Sequence, residues 1–128
     1  MPAVYILRKS LAGLREGKLK KARLIMAGRV ANLAGLIDYQ DRAVVSRAII
    51  NKAAGTVTLF AFDKKQGLST HAAPFDALVC ILDGKADITI SGKTFHLKKN
   101  DAIIMPANKP HSVKAARKFK MMLVMVKK

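Results

Sequence analysis

From Val44 to Val126 the chain is divided into eight short β-branched and apolar runs, with turn-forming residues between them and no helical pattern intervening. The runs are VVSRAII (44–50), TVTLFAF (56–62), ALVCILD (77–83), ADITI (86–90), KTFHL (93–97), DAIIMP (101–106), HSVKA (111–115) and FKMMLVMV (119–126). Between them stand Asn51 to Gly55, Gly67 with Ser69, Asp83-Gly84, Ser91-Gly92, Lys99-Asn100 and the loop from Pro106 to Pro110. Strands recurring every 8 to 12 residues or so in this way pair antiparallel into a sandwich or barrel. The length of 128 residues supplies one core rather than two. ALVCILD and AIIM are apolar on both faces, which fits a closed barrel whose wall has an interior on one side and a second layer on the other. Residues 31–128 are therefore expected to form one all-β barrel domain, with a single helical turn contributed by ANLAGLID (31–38).

At 51% hydrophobic the chain is too apolar for a disordered polycation, although its formal net charge is +16. The lone Cys80 excludes an intramolecular disulfide framework and a cysteine zinc site, so a cytoplasmic location is the default expectation. Charged residues interrupt every candidate for the roughly 20 apolar residues of a membrane span, and no membrane partner is expected. The positive charge would draw polyanions through counterion release. Against a specific nucleic-acid function stand the 5% aromatic content, the lack of Trp and the lack of a helix-turn-helix or RNA-recognition pattern.

Eight of the 24 Lys and Arg residues fall within residues 1–30, where Glu16 is the only acid. Gly13, Gly17 and Gly28 weaken any helix there. This basic amino-terminal extension has three readings: a transit-like peptide, poorly matched because Ser10 is its only serine; a polyanion anchor; or a mis-assigned start with Met26 as initiator, the preferred one.

From Gly67 to His111 the sequence resembles the cupin family of small double-stranded β-helix (jelly-roll) barrels. The family's first motif, G-x5-H-x-H-x3-E-x6-G, places its first histidine at His71 and its last glycine at Gly84, at the end of LVCILDG. The second, G-x5-P-x-G-x2-H-x3-N, fits NDAIIMPANKPH with Pro106 and His111 in register and Asn100 and Asn108 at the glycine positions. Asn is the non-glycine residue best able to take positive φ. The departures are Ala73 at the second histidine, Ala77 at the glutamate, Ala115 at the terminal asparagine and Lys65 at the opening glycine.

Of the usual metal ligands the resemblance leaves only His71 and His111. Two histidines with one carboxylate suffice for a transition metal, and Asp76 is the candidate third ligand provided Pro74 resets the strand's alternation. The metals considered are Fe, Mn, Ni or Zn. Met105, Phe75 and Met122 are expected to line the pocket. His96, alternating with Phe95 and Leu97, is expected at the surface, and Asp83 and Asp101 in turns. No Ser-His-Asp spacing, phosphate-binding glycine loop or cysteine-nucleophile signature is present. A barrel histidine could serve as general acid or base, which leaves catalysis open.

The reading is therefore a barrel, expected to be homodimeric, that binds a small molecule and a candidate divalent metal in its interior. The alternative is a metal-free sensor or interaction module that keeps the fold after losing its ligands.

Overall fold

The computed structural model describes residues 26–127. The expectations for residues 1–25 lie outside the described residues. After a 3-10 turn, Leu33–Leu36, come β1 (Val44–Lys52), β2 (Gly55–Phe62), β3 (Gly67–His71), β4 (Asp76–Ile90), β5 (Lys93–Lys98), β6 (Ala102–Met105), β7 (His111–Lys114) and β8 (Phe119–Val126). All pairings are antiparallel. One layer runs β1-β2-β8-β4-β6, and the other joins β5 and β7 to the second half of β4, with β3 beyond β7. This is the expected jelly-roll barrel.

Two runs counted separately are in fact one strand. Asp83-Gly84 does not form a hairpin turn: β4 continues through it, pairing with β8 as far as Gly84 and with β5 from Lys85 onward. A register shift between Ile81 and Asp83 and the +73° φ of Gly84 bend the strand from one layer into the other. The turn signal was a real change of direction, and only its kind differs. Conversely, Gly67–His71, which stands between apolar runs in the sequence, forms β3, a strand too short and polar to carry an apolar run of its own. Ser91 and Gly92 do make the expected tight hairpin, both at positive φ as a type I′ turn requires.

The barrel interior is filled by alternate residues of facing strands, with Phe60, Phe62, Val79, Ile88 and Phe119 wholly inaccessible to solvent. A second apolar cluster lies on the outer face of the first layer, where Ile37, Ile49, Leu59 and Ala61 meet Met26, Leu33, Leu36 and Tyr39. This explains the two-faced apolar strands, because residues 26–39 form a strap over that wall. Asn32 caps its 3-10 turn by accepting the Gly35 N–H at 3.1 Å. Arg47 donates to the Leu36 carbonyl at 2.7 Å, Lys120 to that of Ala34 at 2.6 Å, and the Tyr39 hydroxyl to the Asp83 carboxylate at 2.6 Å. Burial and that bond to Asp83 both push the Tyr39 pKa up, so the phenol keeps its proton and the strap its anchor.

Candidate functional site

His71 ends β3 and His111 begins β7, directly opposite each other in the ladder. Leu68 faces inward, so strict alternation would turn His71 outward; the register shift between Leu68 and His71 adds a residue and turns it back in. The two Nε2 atoms stand 3.2 Å apart, with the rings edge to face. Each Nδ1 is also engaged, at 2.8 Å from the Ser69 carbonyl for His71 and 3.1 Å from the Lys109 carbonyl for His111. A carbonyl can only accept, so both Nδ1 atoms carry protons. In the neutral rings both Nε2 atoms are therefore acceptors, and they face each other. Two such lone pairs are matched by a single shared proton, a ligand's donor or a cation.

Burial first, and then the neighbouring His71, lower the pKa of His111 below the ordinary histidine value, only partly opposed by its bond to Lys109. A base with a lowered folded-state pKa takes up its proton more readily in the unfolded chain. Stability is therefore unaffected above the unfolded pKa of about 6.5 and falls as pH drops below it. Urea midpoints of the wild type are expected to decline from pH 7 toward pH 5, and His111→Gln to flatten that decline. Parallel profiles for the two proteins would refute the assignment.

The imidazoles open into a cavity of about 40 Å³ whose walls are almost wholly apolar. Met105 and Phe75 line it, and Met122 does not. In β8 the odd-numbered residues face inward, so Met121 and Met125 line the cavity while Met122 packs under the strap. The signal was available: Lys120, two residues away, shares the face of Met122. Asp76 is likewise not brought to the histidines. Pro74 does not reset the alternation: Ala77 faces the cavity, and Asp76, exposed on the other side, accepts the Ala107 N–H at 2.8 Å.

Ala73 and Ala77 still face the cavity, so the positions survive while their donors are gone. Among the described residues no group of three or more His, Cys, Asp or Glu could hold a metal. A hard divalent centre of the two-histidine, one-carboxylate kind does not fit this residue set. His96 lies at the surface as expected, its Nδ1 2.6 Å from Asp87. Asp101 closes a local turn by accepting the Lys98 N–H at 3.0 Å. Asp83 is instead the anchor of Tyr39.

The family model for the cupin domain matches residues 58–127. A conserved protein of unknown function from Streptococcus pyogenes is 35% identical, with a TM-score of 0.75 over 78% of this chain and 88% of its own. A cupin superfamily protein from Desulfitobacterium hafniense is 29% identical, with a TM-score of 0.75 over 78% of this chain and 92% of its own. A cupin 2 conserved barrel domain protein from Leptotrichia buccalis is 40% identical, with a TM-score of 0.74 over 76% of this chain and 47% of its own. No curated protein matches the chain. No helix among the described residues is long and apolar enough to cross a membrane. With its barrel, its inward histidine pair and more than half its length matched by the domain model, the chain belongs to the cupin family.

Proposed function

We propose that this chain is a binding protein whose paired imidazoles hold one small occupant at the mouth of the barrel, an occupant that brings a proton or a positive charge. The observation that carries this reading is the 3.2 Å approach of two Nε2 atoms whose Nδ1 partners are both committed to carbonyls. The size of the cavity narrows the choice. About 40 Å³ holds an ion or a few waters, whereas sites for drug-sized ligands run to roughly 300–1,000 Å³. The reading differs from the metal-free alternative in admitting a cation as the occupant, and it requires no catalytic step.

A homodimer is the second element of the proposal. On the outer face of the first layer, Ile50, Val57, Val124, Leu78 and Ile104 stand opposite one another across five strands in unbroken register. Val57 packs against the cluster under the strap, but Ile104 is 60% exposed, Ile50 45% and Leu78 37%, and a second copy would cover these three.

Native and denaturing mass spectra of the full chain, purified without chelator, test both parts. The wild type is expected to carry one occupant per chain that His71→Ala/His111→Ala lacks, and to weigh as two chains. Equal occupancy in both proteins would refute the pocket reading, and a single-chain mass at all concentrations would refute pairing.

A further inference from the structure

Ala77, at the position of the family's glutamate, faces Met105 across the ladder on one side and Met125 on the other. Directly opposed cross-strand side chains start about 4.5–5.5 Å apart, and the small Ala77 leaves the space between them free. Both methionines line the same cavity as the two imidazoles, as does Met121, which is not a ladder partner of Ala77. Where the family would place a carboxylate, this chain therefore has an alanine flanked by two methionines that line the cavity.

We propose that the cavity is a Cu(I) site formed by Nε2 of His71, Nε2 of His111 and the thioethers of Met105 and Met125. The assignment rests on the pocket reading above and names its occupant. One consideration admits a tetrahedral metal ion and two more select this one.

The first is spacing. Two nitrogens bound at about 2.0 Å to a tetrahedral metal stand roughly 3.3 Å apart, and the Nε2 atoms here are separated by 3.2 Å. The second is charge. All four donors are neutral, and the other cavity walls offer no carboxylate or thiolate to offset the charge of a cation. The cost of taking an ion from water into an apolar enclosure rises with the square of its charge, which favours a monovalent ion over a divalent one about fourfold in that term. The third is softness. Thioethers select Cu(I), whereas carboxylate and water suit Mg, Ca and Mn. Each Nδ1 donates to a backbone carbonyl, which fixes the ring orientation as outer partners do for metal-bound histidines.

The test is an anaerobic titration of the full chain with Cu(I) in competition with bicinchoninate. Zn(II) serves as the control ion, and circular dichroism verifies the fold of each variant. One Cu(I) per chain is expected for the wild type, with no competing uptake of Zn(II). Met105→Leu/Met125→Leu, which keeps volume and removes both sulfurs, is expected to weaken Cu(I) at least tenfold. His71→Ala is expected to abolish uptake. No uptake by the wild type, equal affinity in the leucine variant, or Zn(II) bound as tightly as Cu(I) would each overturn the assignment. If Cu(I) is refused while the native mass still shows an occupant dependent on the two histidines, copper fails and the pocket reading stands. If neither is seen, both fail.

Discussion

Gly84→Ala is expected to cost about 2–5 kcal/mol, a large share of the roughly 5–15 kcal/mol by which domains of this size are stable. Gly84 has a φ of +73°, and a Cβ built there would lie 2.1 Å from the Lys118 carbonyl oxygen and 2.9 Å from the Phe119 Cα. An alanine in the left-handed region loses about 1–2 kcal/mol in backbone strain. The close contacts are the larger problem, because every atom met is backbone and no side chain can swing aside. Overpacking of this kind adds about 1–3 kcal/mol or more. Gly92 provides the control: its φ is +84°, yet nothing lies within 4 Å of its missing Cβ. Gly92→Ala should lose only the strain, about 1–2 kcal/mol. Urea unfolding of both variants followed by circular dichroism reads the difference directly. Equal losses would show that the approach of the β8 backbone to Gly84 carries no weight.

The same residue marks where the sequence was legible and where it was not. The register of the two motifs places glycine at positions 65, 84, 100 and 108. The backbone adopts positive φ at all four, although three are occupied by Lys65, Asn100 and Asn108. Conformation was thus readable even where identity had changed, because a left-handed turn is a property of the chain path that Asn accepts at modest cost. What could not be read locally was continuity. A bent strand and a hairpin both need a residue at positive φ, and only the pairing partner, β8 or the strand's own return, tells them apart. At the site, the register of the two family motifs placed His71 and His111 together. The third position depended on side-chain parity, which a single bulge inverts: β3 has one before His71, whereas Pro74 causes none before Asp76. Met122 was misplaced for want of the same parity argument, with Lys120 as its available marker.

Phe62→Ala is expected to cost about 3–5 kcal/mol, against under about 1.5 kcal/mol for Phe62→Leu if the core repacks around the smaller ring substitute. The ring is fully inaccessible and stacks on Phe119 with centroids 4.5 Å apart and planes 10° from parallel, and its centroid is 5.9 Å from that of Phe60. Truncation removes the transfer energy of the ring, the stacking contribution of about 0.5–1.5 kcal/mol and the support of its neighbours in one step. Phe119 is what joins this prediction to the first, because it lies opposite Phe62 in β2 and opposite Gly84 in β4. The tight approach at Gly84 holds the β8 backbone where the Phe119 ring can meet Phe62. A β8 strand displaced by an alanine at 84 has already lost part of that stacking, so Phe62→Ala should cost less in the Gly84→Ala background than alone. A double-mutant cycle in urea should show a coupling of about 0.5–3 kcal/mol in the direction of less than additive loss. Strict additivity would mean that the bend of β4 and the aromatic stack are built independently, and that the close contact at Gly84 does not position the ring.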